Sequence, residues 1–193
     1  MNLRNAIKDF NSRTLRSTLV HVRNLDGSVV VTDKRGNIVA HRERSADSEP
    51  NFSQYGFIPN PNPDLQVGSQ DVARDLNCLQ SNGVTHVINL VSNIVPNLYP
   101  HLFDYLSLVL YDDMHFALGD SIRQCVNYLE RIRRSGGVCF VHCDVGRCRA
   151  PSMVIAYLMK VEDYSYERAY TEVNNARNVA INLNYKMQLM SLA

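Results

Sequence analysis

Apolar residues between positions 64 and 193 follow two patterns: short continuous runs, typical of buried strands, and a repeat every three or four positions, typical of helices. Three short segments are apolar almost throughout, as expected for strands in a sheet that is covered on both faces: VTHVINLV, FDYLSLVL and VCFVH. Other segments repeat apolar residues every three or four positions, as helices do: DVARDLNCLQSNG, DSIRQCVNYLERIRR, PSMVIAYLMKV, SYERAYTEVNNAR and NLNYKMQLMSL. The alternation predicts an α/β fold with a central, mostly parallel sheet flanked by helices.

Residues 1–44 follow a different pattern and form a predicted basic extension. They carry nine Lys or Arg and four Asp or Glu, which gives a net charge of +5. A short helix is predicted around Leu3 to Phe10, followed by three strands, TLVHV, SVVVT and NIVAH. The charge indicates either a solvated face or a docking arm for a partner. Residues 45–63 contain four prolines and little periodicity, which predicts an irregular connector to a folded domain at 64–193.

Composition and charge narrow the classes of function. The 193 residues carry a formal net charge of +1, so the chain as a whole is not expected to bind nucleic acid. The start MNLRNAIKDF lacks the apolar core of a signal peptide, and no segment has the roughly 18 consecutive apolar residues of a membrane helix. Five cysteines without framework spacing are typical of free thiols in a reducing compartment: Cys78, Cys125, Cys139, Cys143 and Cys148. We therefore expect a cytoplasmic protein, with the nucleus as a second location, and no membrane binding.

The segment FVHCDVGRCRAPS joins a predicted strand to a predicted helix and places Cys143 six positions before Arg149. The unpaired backbone N–H groups at a helix N-terminus bind anions. Gly146 permits the positive φ that turns successive amides towards one centre. Beside such amides and a cation, the pKa of a cysteine falls from about 8.5 to roughly 3.5–7.5. Cys143 is therefore predicted to be a nucleophilic thiolate, with Arg149 and the loop amides holding the oxygens of a phosphoryl group.

The stretch HCDVGRCR is similar to the H-C-x-x-G-x-x-R signature of the cysteine-dependent protein tyrosine phosphatases. The resemblance extends to the dual-specificity subfamily through DLQVGSQDVARDLNCLQSNGVTHVINLV, APSMVIAYLMK and NNARNVAINLNYKMQL, and so covers residues 64–192. The stretch AIKDFNSRTLRSTLVHV resembles the N-terminus of the small, atypical phosphatases that regulate stress-activated protein kinase pathways. The resemblance implies that residues 64–193 are a dual-specificity phosphatase catalytic domain.

The resemblance also implies roles for individual residues. In the family, a loop aspartate some thirty residues before the cysteine protonates the leaving oxygen; this indicates Asp112, 31 positions before Cys143, with Asp113 as the alternative. His142 is expected to fix the loop by hydrogen bonding. The loop residues expected to contact the substrate phosphate are Asp144, Val145, Gly146, Arg147, Cys148 and Arg149. No metal or other cofactor is expected, because the arginine and the amides already supply positive charge.

Two positions in the loop region leave questions open. Most relatives follow the arginine with Ser or Thr, whereas this chain has Ala150, so slower hydrolysis of a phosphocysteine intermediate is expected. Cys148 lies five positions after Cys143. Either the two form a reversible disulfide that protects the nucleophile from irreversible oxidation, or Cys148 is a small packing residue.

The leading interpretation is a protein phosphatase that acts on phosphotyrosine and on phosphoserine or phosphothreonine through a phosphocysteine intermediate. Its expected partner is a phosphoprotein in kinase signalling, with a MAP kinase or its upstream kinase as the candidate. Two alternatives stay open: a phosphatase for a phosphoinositide or an RNA 5′-phosphate, and a kinase-binding scaffold in which catalysis is incidental. The oligomeric state is left open.

Overall fold

The structure is a computed structural model that describes residues 20–23, 29–33, 37–42, 55–59 and 64–192. The chain divides into two compact units, Met1–Pro50 and Asn51–Ala193. The helix predicted around Leu3 to Phe10 lies outside the described residues.

The first unit contains a three-stranded antiparallel sheet. Its strands are β1 (Val20–Arg23), β2 (Val29–Thr32) and β3 (Ile38–Arg42), in the order β1-β2-β3. Between β2 and β3, the backbone N–H of Asp33 donates to the carbonyl of Asn37 at 2.9 Å, and the Asp33 carboxylate accepts from the Asn37 backbone at 3.0 Å. The three strands predicted from the sequence are present, each shifted by no more than two residues.

The second unit contains one mixed sheet and six described helices. The strands are β4 (Gly56–Ile58), β5 (Asp64–Gly68), β6 (His86–Asn89), β7 (Asp104–Ser107) and β8 (Val138–His142). The helices are α1 (Gln70–Arg74), α2 (Leu76–Ser81), α3 (Gly119–Ser135), α4 (Arg149–Val161), α5 (Tyr166–Ala176) and α6 (Leu183–Met190). The strand order is β4-β5-β8-β6-β7, and every pair is parallel except β4 with β5. The predicted α/β fold with a mostly parallel sheet is confirmed.

Strand β8 lies at the centre of this sheet and is buried on both faces. Phe140 joins an apolar cluster with α1 and α2, whereas its neighbours Cys139 and Val141 join a larger cluster with α3 to α6. This alternation follows from the two-residue period of a strand. At the carboxyl end of β8, His142 is level with Gly68 of β5 and Asn89 of β6. Side chains that follow these strands therefore meet at one edge of the sheet, where open α/β sheets bind ligands.

Helix α4 is the central helix of the larger cluster. All residues from 150 to 159 are buried, as the apolar sequence PSMVIAYLMKV predicts. Its N-terminus at Arg149 follows the loop after β8 directly. Because both the central strand and the central helix are enclosed by packing, the loop between them is held at both ends.

The structure corrects two sequence-based expectations. The segment DVARDLNCLQSNG forms two short helices rather than one, because Asp75 leaves the helical region (φ −86°, ψ 89°) and its carboxylate caps α2 by accepting from the Cys78 backbone N–H at 2.9 Å. The predicted irregular connector at 45–63 contains strand β4, which pairs with β5 at the edge of the sheet. An edge strand of three residues is too short to give a clear period in the sequence.

Candidate active site

The sulfur of Cys143 lies in the loop between β8 and α4, with its residue only 1% exposed. The backbone N–H of Gly146 donates to this sulfur at 3.2 Å. A hydrogen bond donated to a thiolate stabilises its charged form, and so does the positive end of the α4 dipole. The loop therefore has the electrostatics expected of a nucleophilic cysteine.

Gly146 is required at its position for two reasons. Its φ of +76° lies in the region that L residues with side chains seldom adopt. A Cβ built on Gly146 would also collide with the backbone of Gly68 at the end of β5. On the same side of the loop, the Gln70 backbone N–H donates to the carbonyl of Asp144 at 2.9 Å, and the Gln70 side chain donates to the Asp144 carboxylate at 2.5 Å. The start of α1 thus supports one wall of the loop.

Arg177 also supports the loop, and the sequence analysis did not identify it. Its Nε donates to the carbonyl of Gly146 at 2.7 Å and its Nη2 donates to the carbonyl of Val145 at 2.6 Å. The residue is 97% buried, so burial lowers its pKa, while the nearby Cys143 thiol opposes that change. The peptide unit that carries the Val145 carbonyl also carries the N–H of Gly146, which donates to the Cys143 sulfur. One feature of the sequence could have indicated it. Arg177 lies four residues after Val173, the last buried position of α5, and so falls on the buried face of that helix.

The guanidinium of Arg149 is held by neighbouring oxygens, but one of its N–H donors has no hydrogen-bond partner among the described residues. Its Nη1 donates to the carbonyl of Leu110 at 3.3 Å, and its Nη2 lies 4.0 Å from a carboxylate oxygen of Asp144. Its Nε is buried without a hydrogen-bond partner among the described residues. A buried donor without a partner is costly, and an oxyanion in the loop would satisfy it. This observation supports the prediction that Arg149 holds phosphoryl oxygens.

The two candidate acids, Asp112 and Asp113, differ in what their carboxylates contact. The Oδ1 atom of Asp112 accepts from Asn182 Nδ2 at 2.6 Å and from the Cys148 thiol at 3.3 Å, so this carboxyl lies against the loop that carries Cys143. The carboxylate of Asp113 accepts from the backbone N–H of His115 at 2.7 Å, within its own segment. The geometry favours Asp112 as the general acid.

Cys148 is a buried thiol in contact with Asp112. Burial is the main cause that raises the pKa of Cys148 to about 12, and the neighbouring carboxylate adds to the increase. Cys143 and Cys148 are both free thiols in the structure. The disulfide between them stays a prediction, and its formation would need a base to take the proton of Cys148.

His142 is 98% buried at the end of β8. Its ring stacks on Phe140 with centroids 5.8 Å apart, and its Nδ1 lies 3.4 Å from the carbonyl of Cys143. Burial lowers its pKa to about 4, although the contact with the carbonyl acts in the opposite direction. A neutral, enclosed imidazole supports the expected role of fixing the loop.

Arg147 points to the rim of the site. Its Nε donates to the carbonyl of Asn178 at 3.3 Å and its Nη2 donates to the Asn178 side chain at 3.4 Å, while its own carbonyl accepts from the Ala180 backbone at 2.8 Å. These contacts join the loop to the segment after α5. Within the part of the chain that the structure describes, no group of three or more His, Cys, Asp or Glu is placed to hold a metal ion, and no helix there is long and apolar enough to cross a bilayer.

Comparison with protein families matches residues 65–193 to the dual specificity phosphatase catalytic domain. The protein-tyrosine-phosphatase MKP1 of Arabidopsis thaliana is 35% identical over 161 residues, which cover 83% of this chain and 20% of the plant protein. The chain therefore spans about a fifth of that relative's length. The mouse dual specificity protein phosphatase 19 is 28% identical over 186 residues, covering 91% of this chain and 82% of the mouse protein.

Solved structures agree with the family match. The crystal structure of human DUSP28 has a TM-score of 0.66 at 25% identity and covers 76% of this chain and 95% of its own. The structure of the human tyrosine phosphatase-like serine/threonine/tyrosine-interacting protein has a TM-score of 0.63 at 26% identity and covers 67% of this chain and 91% of its own.

Replacing Arg177 tests its support of the loop. Arg177→Met leaves two loop carbonyls without their charged donor, so we expect a loss of roughly 1.5–3 kcal/mol in the free energy of unfolding and weaker binding of vanadate. Arg177→Lys keeps the charge but not the planar fork, and is expected to restore stability more than vanadate binding. Denaturant unfolding and vanadate inhibition measure the two effects. Vanadate affinity equal to wild type in Arg177→Met would contradict the assignment.

The buried His142 predicts a dependence of stability on pH. Its pKa is about 4 in the folded protein and about 6.5 when unfolded, so the unfolded state binds the extra proton in that range. Stability contributed by the neutral imidazole is complete above pH 6.5 and is lost as the pH falls towards 4, by roughly 3 kcal/mol. Denaturant unfolding at several pH values should show this decline, and a smaller one in His142→Asn. An equal decline in both proteins would show that other groups cause it.

Proposed function

This chain belongs to the dual specificity phosphatase family, and we propose that it removes phosphate from phosphotyrosine and from phosphoserine or phosphothreonine in proteins through a phosphocysteine intermediate. The observation that carries the proposal is the convergence of Cys143, Arg149 and Asp112 around one loop. Two segments of the chain thus meet at one edge of the sheet: the β8–loop–α4 segment brings the nucleophile and a cation with an unpartnered donor, and the segment after β7 brings the carboxyl.

In the first step, the Cys143 thiolate attacks phosphorus and the bond from phosphorus to the leaving oxygen breaks. Asp112 gives its proton to that oxygen, because neither an alkoxide nor a phenoxide leaves readily as an anion. Arg149 and the loop amides stabilise the charge on the three remaining oxygens. Their positive charge is preorganised by Arg177, which holds the carbonyls of the same loop outward.

In the second step, water attacks the phosphocysteine and the bond from phosphorus to sulfur breaks. Asp112, now ionised, takes a proton from the water, and the thiolate of Cys143 leaves with the electron pair of the broken bond. The product is inorganic phosphate. Ala150 offers no hydroxyl to stabilise the departing thiolate, which is why we propose that this step is the slower one.

The charges around the loop favour a phosphoprotein over a highly anionic substrate. Asp144 belongs to the loop and has a half-buried carboxylate, and the exposed Asp112 contacts the Cys148 thiol of the same loop. The guanidinium of Arg147 is engaged with Asn178 rather than free for a second phosphate. A phosphoinositide or an RNA 5′-triphosphate would bring several negative charges close to these carboxylates.

We propose a MAP kinase or its upstream kinase as the substrate, in a reducing cytoplasmic or nuclear compartment. The support is the resemblance of AIKDFNSRTLRSTLVHV to phosphatases that regulate stress-activated protein kinase pathways. The net charge of +5 on residues 1–44 would suit an acidic docking surface on such a kinase.

Asp112 and Asp113 form a matched pair for testing the mechanism. We expect Asp112→Ala to lower turnover of a phosphotyrosine peptide by about 10²–10⁴-fold while the peptide still binds, because general acid catalysis is lost. Asp113→Ala is expected to retain turnover within a few-fold, since among the described residues its carboxylate accepts from the backbone of its own segment. Steady-state kinetics in the presence of a chelator measure both, with Cys143→Ser as the inactive reference. If the larger loss appears in Asp113→Ala, the acid is Asp113.

The substrate class can be tested with one panel of proteins and ligands. Wild type is expected to hydrolyse a doubly phosphorylated kinase activation-loop peptide faster than a phosphoinositide or a triphosphorylated RNA. The Cys143→Ser protein should capture the phosphorylated kinase better than the unphosphorylated one, and less well when residues 1–44 are removed. Capture that does not depend on phosphorylation would favour the scaffold alternative. A faster rate on lipid or RNA would replace the protein substrate.

A further inference from the structure

Asn182, at the residue before α6, contacts the proposed general acid although 70 positions separate them in the chain. Its Nδ2 donates to Oδ1 of Asp112 at 2.6 Å. Its own Oδ1 accepts from the backbone N–H of Tyr185 at 2.8 Å, and so caps the N-terminus of α6. The two atoms of one amide are thus used for different partners.

The cap determines which way the amide faces. An N-cap residue must present an oxygen to the first turn of its helix, so Oδ1 of Asn182 faces Tyr185. The amide nitrogen then has to face the opposite side, where the Asp112 carboxyl lies. The helix therefore sets the direction of the hydrogen bond to the acid.

Asp112 needs such a contact because its own segment gives it little support. The residue is exposed and belongs to neither a strand nor a helix. The backbone carbonyls on either side of Asp112 accept hydrogen bonds from side chains of α6. Tyr185 Oη donates to the carbonyl of Tyr111 at 2.7 Å, and the Asn184 side chain donates to the carbonyl of Asp113 at 3.1 Å. Those bonds locate the main chain, but they leave the rotation of the Asp112 side chain undetermined.

Both donors to the acid use the same oxygen. Asn182 and the Cys148 thiol each donate to Oδ1, the latter at 3.3 Å. A proton placed on Oδ1 would compete with these two donors, whereas Oδ2 is left for it. In the Asp112 carboxyl, Oδ1 therefore accepts the hydrogen bonds that fix its position, and Oδ2 is the oxygen that can carry the proton.

We propose that Asn182 is a positioning residue for the general acid, holding Asp112 through Oδ1 so that the proton transferred to the leaving oxygen resides on Oδ2. The assignment rests on the proposed function, since it concerns the acid of that reaction. It gives α6 two separate tasks, which are to anchor the backbone of the acid segment and, through Asn182, to orient the carboxyl.

Asn182→Ser separates positioning from capping, because serine is also a good N-cap but lacks the amide donor. Protonation matters more for a strongly basic leaving group, so the test compares kcat/KM for phenyl phosphate and for p-nitrophenyl phosphate. We expect about a tenfold loss for phenyl phosphate and less than about a threefold loss for p-nitrophenyl phosphate, a part of the ~10²–10⁴ that a general acid supplies. In an Asp112→Asn background, Asn182→Ser should change neither value further.

Ser165→Ala is the matched control for lost capping. Ser165 caps α5 by accepting from the Arg168 backbone N–H at 3.2 Å and makes no recorded contact with Asp112. Its ratio of the two kcat/KM values should equal that of wild type, even if its melting temperature falls.

Three outcomes would overturn the assignment. The first is that Asn182→Ser lowers kcat/KM equally for the two phosphate esters, or for neither. The second is that adding Asn182→Ser to Asp112→Asn lowers kcat/KM further. Either result in a protein that retains Cys143-dependent hydrolysis overturns the role of Asn182 alone. A wild-type protein without Cys143-dependent hydrolysis of either ester overturns the proposed function and this assignment together.

Discussion

The paired hydrogen bonds from Arg177 to the carbonyls of Val145 and Gly146 are the constraint on which the site depends. A peptide unit whose carbonyl is held outward presents its N–H inward, and inward N–H groups are what a thiolate and a phosphoryl group require. The Gly146 amide, 3.2 Å from the Cys143 sulfur, shows the result. Loss of this constraint would leave the sequence of the loop intact and remove the orientation of its dipoles.

Holding cations in a largely apolar environment carries a cost, and here the cost is linked to ligand binding. Arg177 is compensated by the loop carbonyls of Gly146 and Val145, which accept its hydrogen bonds. Arg149 retains a buried Nε with no partner among the described residues. An oxyanion bound in the loop would complete its hydrogen bonding, so the same group that is unfavourable without a ligand is a source of affinity with one.

The proposed general acid, Asp112, depends on the region of α6 in a comparable way. The segment of Asp112 has no regular structure. Its backbone is held by Tyr185 and Asn184 of α6, and its side chain by Asn182, the N-cap of that helix. The proposed catalytic groups thus come from the central β8–loop–α4 unit and from the segment after β7, whose backbone α6 holds in place. A change in α6 is therefore expected to alter the chemistry without any contact to the substrate.

The residue pattern alone determined the α/β class, the bounds of β8 and α4, and the reactive loop, because a continuous apolar strand, a glycine and a helix start are local features. A family signature and its spacing also predicted catalytic roles for Cys143, Arg149 and Asp112, and these stay predictions. The strand β4 and the break at Asp75 were missed, since three residues or one carboxylate cap leave no period. Arg177, Gln70 and Asn182 could be placed only by the tertiary structure. Each acts through a hydrogen bond to a residue more than thirty positions away, and no local pattern encodes which distant carbonyl or carboxylate a side chain will meet once the sheet and helices have packed.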